Sequence, residues 1–244
     1  MASELDAAVF NLPPAEAVRA LEEKGYRISW DWREVWKQEH EKAFAVAKAT
    51  RLDILADIRT AVEDALVNGT LLRDFSKELT PILQAKGWWG EKVVRNPTTG
   101  EEELVQLGSA ARLRVIYETN LRMAQASGRY ERMERLKAAR PYGRYVALGN
   151  ARPEHKAWHG TVLPLDDPWW ETHMPPNGWG CRCAMQQLSA RDLERYGYSL
   201  ADVAPAVELV EWTNKRTGQV ELVPKGIDPG FDLNPGKARL EGRA

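Results

Sequence analysis

"PEHKAWHG" (residues 153–160) and "PPNGWGCRC" (residues 175–183) bound a stretch that holds three of the chain's four histidines and both of its cysteines. His155 and His159 are four apart, so on a helical turn both rings face the same side. Cys181 and Cys183 are two apart, which on an extended segment puts both sulfurs on one side. Two imidazole nitrogens and two thiolates form a tetrahedral zinc set, and H-x3-H is standard spacing. C-x-C is tighter than the usual C-x2–4-C, and a disulfide inside it would be strained. His173 is a spare donor. The plain alternative is a pair of buried cysteines among packed histidines.

The metal would be structural. A zincin carries Glu directly after its first His, and here Lys156 follows His155; the inverted motif needs Glu before the second His, and Trp158 stands there. Glu154 is on the wrong side for both. Four protein ligands also leave no position for water. No P-loop, G-x-G-x-x-G or G-x-S-x-G is present, and Asp166-Asp167, before Pro168, reads as a turn.

Around this centre the chain changes texture near Pro141. Beyond it, short strand-like pieces ("RYVAL", "GTVLPL", "VELVEW", "QVELVP") alternate with loops rich in Pro, Gly and Trp. Before it the sequence is mainly helical. "LPPAEAVRALEEKG" starts a helix at Pro14, with Val18 and Leu21 on one face and Gly25 as its stop. From about Trp36, residues Phe44, Ala47, Leu55, Ile58, Val62 and Leu66 recur at three- and four-residue steps and predict one long amphipathic helix. Asn68-Gly69 ends it, and Thr70 caps the next helix, which carries Leu72, Phe75 and Leu79. Residues 92–107 form a β-hairpin around Asn-Pro-Thr-Thr-Gly. A second long helix runs from about Ser109 to Ala138. The expected fold class is α+β, with a mainly helical region over 1–140 and a smaller mixed α/β domain over 141–244 built around the His/Cys cluster. No internal repeat stands out.

The 244 residues suffice for a real core, and 43% apolar with 28% charged is ordinary for a globular protein. A net charge of -1 gives no overall pull toward nucleic acid or membrane. The N-terminus lacks a basic and apolar signal pattern, and no run approaches the roughly 20 apolar residues of a membrane span. Synthesis in a reducing cytoplasm is expected. Between Arg122 and Arg144, Arg122, Arg129, Arg132, Arg135, Lys137, Arg140 and Arg144 face only Glu131 and Glu134. Such a run is ordinarily a solvated helix face; the sharper alternatives are contact with an acidic protein surface or DNA phosphate contact through Arg129, Arg132, Arg135, Lys137 and Arg140. Ten tryptophans is a high count. Packing is the default use of such rings; the sharper alternative is that Trp30, Trp32, Trp36, Trp88 and Trp89 supply interface anchors in the helical part.

"RPEHKAWHGTVLPLDDPWWETHMPPNGWGCRC", followed by "PKGIDPGFDLNPG", resembles the phage Mu F-like minor head proteins, the head-morphogenesis family. "PPAEAVRALEEKGY", "AFAVAKATRLDILADIR", "GWWG" and "RLRVIYETNLRMAQASGRYERM" are similar to it too, so the resemblance covers nearly the whole chain. It implies a minor capsid protein, made in the host cytoplasm and carried in the virion; no enzymatic activity is expected, since both zincin glutamates and any nucleophile–base pairing are missing. Its place would be the head interior or portal vertex, with links to DNA packaging or delivery. The implied partners are the portal protein, the major capsid protein and packaged double-stranded DNA, and no membrane. In the broader family C-x-x-C often replaces His155 and His159, an exchange that zinc ligands tolerate. Ending soon after "NPG", the chain is expected to lack the C-terminal extension of longer members. The competing readings are a zinc-dependent hydrolase or toxin-like effector packaged in the head, and a DNA-binding module.

Overall fold

The computed structural model describes residues 15–35, 37 and 41–242. Pro14 and Trp36 lie outside the described residues. The fold is α+β. The chain divides into two compact units, one formed by the described residues up to 35 together with 42–128, the other by 37, 41 and 129–242.

The first unit opens with α1 (Ala15–Glu22), followed by a two-residue parallel pairing of β1 (Gly25–Tyr26) with β2 (Ala43–Phe44). Then come α2 (Leu52–Asn68), α3 (Leu72–Ala85), an antiparallel hairpin of β3 (Glu91–Arg95) and β4 (Glu102–Gln106), and the start of α4 (Ala110–Leu136). The predicted helical period holds from Leu52 onward, where Leu55, Ile58, Val62 and Leu66 are buried. Before that it fails. Phe44 and Val46 are buried at a spacing of two, and Lys48 takes a left-handed φ of 63° that turns the chain. Between Ala43 and Arg51 the expected helix is therefore replaced by a short strand and a turn. Thr70 does not cap α3 either, because its hydroxyl donates to Asp64 Oδ2 at 2.9 Å.

The core of this unit joins Leu21, Phe44, Leu55, Ile58, Phe75 and Leu83 with Trp88 and Leu113. Arg59 of α2 is buried and donates to the carbonyls of Leu21 (3.3 Å), Glu22 (2.9 Å) and Lys24 (2.5 Å). It thus satisfies the orphan carbonyls at the end of α1 with a cation, the charge that a helix C-terminus favours. Trp30 and Trp88 belong to the core, 8% and 3% exposed, with Trp88 Nε1 donating to the Lys48 carbonyl at 2.8 Å. These two rings pack the unit and present no anchor surface.

In the second unit, β5 (Tyr142–Val146) is the centre of a three-stranded antiparallel sheet, flanked by β6 (Val162–Pro164) and β7 (Ala184–Leu188). Two short helices, α5 (Pro153–Ala157) and α6 (Trp170–His173), lie between the strands in sequence. After β7 come α7 (Ala190–Tyr196), a hairpin of β8 (Leu209–Thr213) with β9 (Val220–Pro224), and α8 (Pro235–Glu241). Both helix starts are capped by side chains: Ser189 and Asp192 form a capping box, and Asn234 accepts from the Lys237 amide at 3.1 Å. Tyr145, Leu163, Trp170, Met174 and Leu188 are fully or almost fully buried.

Candidate metal centre

Pro153 stands in the first turn of α5, where its missing N–H costs nothing, and the helix closes at Trp158. His155 is thereby turned inward and is 1% exposed. Its ring stacks on Trp158 at a centroid distance of 5.2 Å. Cys181, buried, and Cys183, partly buried, arrive from the loop that leads into β7.

The donor atoms of His155, Cys181 and Cys183 all lie within 4.8 Å of one another. His155 Nδ1 is 3.8 Å from Cys181 Sγ and 3.5 Å from Cys183 Sγ. Its other nitrogen, Nε2, is 2.9 Å from the Gly226 carbonyl, which can only accept, so Nε2 carries the proton there. A neutral ring then keeps its Nδ1 lone pair directed at the sulfurs. Burial pushes the His155 pKa down, but hydrogen bonds to Cys181 and Gly226 outweigh it and leave a net rise. The two thiols are driven apart: a hydrogen bond with Cys183 and then burial push Cys181 up to about 12. The same hydrogen bond from Cys181 draws Cys183 down to about 6. Cys183 is thus the more acidic of the two thiols beside the imidazole.

The frame around these donors comes from residues far along the chain. Asp228 takes both Arg152 guanidinium nitrogens, at 2.5 and 2.8 Å, and accepts the Trp179 amide at 2.8 Å. Asp228 N donates to the Asn177 carbonyl at 3.0 Å, and Tyr145 Oη donates to the Asn177 side chain at 2.8 Å. The stretch 226–228 therefore fixes both the histidine and the cysteine loop. In the sequence, "PKGIDPG" (224–230) carries the family resemblance but no motif that assigns Gly226 or Asp228 a role. A main-chain carbonyl acceptor leaves no mark in a sequence, whereas Asp228 was legible as a carboxylate in a glycine-rich turn.

A cavity of about 100 Å³ opens on the three donors, with Leu148, Asn150, Arg152, Trp179 and Arg182 among its other walls. No carboxylate lines it among the described residues.

His159 is not brought into this group. α5 ends at Ala157, so the four-residue spacing spans the helix end and loses its shared face. His159 is exposed, and its Nδ1 accepts the Ala147 amide at 3.0 Å. His173 is buried but stacks on Trp169 at 4.3 Å, with Nδ1 directed at the Trp169 carbonyl at 3.2 Å. Burial brings its pKa down to about 4.

The basic run meets carboxylates both on its own helix and from farther along the chain. Arg135 lies 3.6 Å from Glu131, Lys137 pairs with both Glu134 and Asp166, and Arg140 lies 2.8 Å from Asp192. Arg129 and Arg132 are exposed.

A family model described as phage Mu protein F like protein matches residues 56–186, more than half of the chain. The chain belongs to the phage Mu protein F-like family. The matched stretch holds His155, Cys181 and Cys183, while Gly226 and Asp228 lie beyond it. Among relatives of this Mu F-like chain, "Putative capsid assembly protein F" of Escherichia phage Mu is 39% identical over 93% of the chain and 55% of its own length. The Mu-like prophage FluMu F protein of Haemophilus influenzae is 41% identical over 75% of the chain and 44% of its own length. The chain thus spans about half the length of the curated relatives it matches. No solved structure matches it significantly. Among the described residues, no helix is long and apolar enough to cross a membrane.

Proposed function

We propose that this Mu F-like chain is a minor capsid protein that acts in assembly of a tailed-phage head. The observation that carries the reading is 39% identity, across 93% of the chain, to a phage Mu protein named for capsid assembly. The finer reading places it at the portal vertex or in the head interior, in contact with the portal and the major capsid protein, with a part in DNA packaging or delivery. Removing the gene from its phage and complementing it in trans tests the assembly role. Loss of mature heads in thin-section electron microscopy, restored by the intact chain, is the expected result; normal heads without it would overturn the reading. Cryo-electron microscopy of the virion tests the position.

The same reading includes one structural zinc held by His155, Cys181 and Cys183. With Zn–N near 2.05 Å and Zn–S near 2.3 Å, a tetrahedron sets its N···S edges at about 3.6 Å. The 3.5 and 3.8 Å separations of Nδ1 from the two sulfurs fit that edge. The carbonyl of Gly226 on Nε2 is the outer partner that ligating histidines ordinarily have. Bound zinc would supply folding energy by tying α5 to the cysteine loop. His159 stands outside this ligand set. Elemental analysis of protein purified without chelator should give about one zinc per chain, and none would overturn the assignment.

One observation favours the enzymatic alternative. Three protein ligands leave a fourth position facing the 100 Å³ cavity, as catalytic zinc sites do. The cavity walls offer no carboxylate to act as a base, so the structural reading is preferred. Hydrolysis of a peptide or nucleotide that is lost in Cys183→Ser would reverse that preference.

A further inference from the structure

Each unit carries one isolated two-stranded hairpin, and the two hairpins are built to the same pattern. N-x-x-T-G-x-x-E-L-V reads as Asn96 to Val105 in the first and as Asn214 to Val223 in the second. The turns share a set of hydrogen bonds. Asn96 and Asn214 are both buried, and each side-chain oxygen accepts the amide two residues on, at 2.8 and 3.0 Å. Gly100 and Gly218 donate to the Asn96 and Asn214 carbonyls at 2.8 Å, with left-handed φ of 77° and 73° that a side chain would strain. Glu101 and Gln219 donate to the hydroxyls of Thr99 and Thr217 at 3.3 Å. The repeat escapes a plain reading of the sequence because only six of its ten positions are shared.

The faces agree as well. Neighbouring residues on a strand point opposite ways. Val105 and Val223 are buried, so Leu104 and Leu222 point outward, 69% and 58% exposed. Val93, 61% exposed, is the direct cross-strand partner of Leu104. Leu209 and Val220, 52% and 59% exposed, share the outer face of the second hairpin. Each hairpin, of two strands only, thus leaves a small group of exposed apolar side chains on an outer face that Arg95 and Glu102 share in the first and Glu211 in the second.

Charge distinguishes the two. Over matching positions the first tip (95–103) carries Glu101, Glu102 and Glu103 against Arg95, a net of -2, and the second (213–221) carries Lys215 and Arg216 against Glu221, a net of +1. Like tips repel and unlike tips attract. We propose that the outer face of the β3–β4 hairpin of one copy packs on the outer face of the β8–β9 hairpin of a second copy. The chain then associates head to tail. Such a contact uses two different surfaces and either closes into a ring or runs on as a filament. One hairpin face is far smaller than a standard stable interface, so a single contact is weak and a closed ring, giving each copy two, is stronger. The proposal stands apart from the capsid-assembly reading and from zinc.

Sedimentation velocity on the whole 244-residue chain, from about 5 to about 500 μM, reads the association by mass action. The wild type should grow in mean mass with concentration. Glu101→Lys with Glu102→Lys, or Lys215→Glu with Arg216→Glu, should each weaken association about tenfold. The chain carrying all four changes should recover to within about threefold, since the charges are exchanged rather than removed. Leu104→Ser and Leu222→Ser should each weaken it, with melting curves showing that the exposed changes leave the fold intact. A wild type that stays monomeric overturns the proposal, whether or not another head protein binds it. So does failure of the fourfold change to rescue, or loss in only one of the two leucine variants, which would mean like packing on like.

Discussion

Gly226→Ala is the sharpest probe of how the centre is held. Gly226 has a φ of 90°, and a Cβ built there would sit 2.6 Å from Glu154 Cβ and 2.9 Å from Glu154 Cγ. Those atoms belong to the start of α5, beside His155, and cannot swing away as a side-chain end would. The left-handed backbone costs about 1–2 kcal/mol for a residue with a Cβ, and the overlap about 1–3 kcal/mol. A loss of about 2–4 kcal/mol follows if the chain relaxes in part. The relaxation must move the Gly226 carbonyl off His155 Nε2, which removes the bond that fixes the tautomer. Loss of such an outer partner lowers metal affinity about 10–100-fold. Urea unfolding followed by near-ultraviolet circular dichroism reads the stability, and competition with a chromogenic chelator reads zinc affinity. Gly149→Ala is the control, since nothing lies within 4 Å of its added Cβ. If Gly226→Ala behaves like the control in both assays, the role given to residue 226 is refuted.

Three further outcomes are expected. His173 is neutral when folded, with a pKa near 4 against an ordinary 6.5, so the unfolded chain takes up the proton more readily. Stability should be full above pH 6.5 and fall by roughly 3 kcal/mol as pH drops to 4, and His173→Phe should flatten this slope in unfolding measured across pH. Chelation, or Cys181→Ser, should lower the melting temperature of the second unit by several degrees, and a calorimetric trace unchanged by both would mean that the cysteines only pack. Because Arg135, Lys137 and Arg140 already face carboxylates, duplex DNA should bind no more tightly than nonspecific contacts do, with a Kd no lower than about 1 μM at physiological salt; tighter binding with a steep salt slope would return this run to a DNA-facing role.

What the sequence disclosed followed the range of the interactions. The α2 stripe of Leu55, Ile58, Val62 and Leu66 and the hairpin at 91–106 rest on neighbours within one element, and both were legible. The helix start was misplaced because Phe44 satisfies a helical spacing and a strand spacing alike, and only pairing with β1 decides between them. Three of the four proposed ligands converge because Cys181 and Cys183 share a side and His155 faces them. His159 does not, since a five-residue helix is too short to carry an i, i+4 pair past its end. Asp166 and Asp192, which neutralise the basic run, come from beyond that stretch of sequence. No local pattern announces them.

The bond from His155 to Gly226 joins residues 71 apart, and this sets an order of events during synthesis. Every part of the first unit has been translated once residue 128 is made. The histidine and both cysteines then emerge with their clasp still missing, and wait until residues 226–228 leave the ribosome. At roughly 5–20 residues per second, the interval from Cys183 to Asp228 is about 2–9 seconds. Throughout it the nascent chain carries a finished first unit and an unfinished centre with an unlocked imidazole and two accessible thiols. A ribosome stalled between residues 183 and 226 would hold this chain at its most oxidation-sensitive stage.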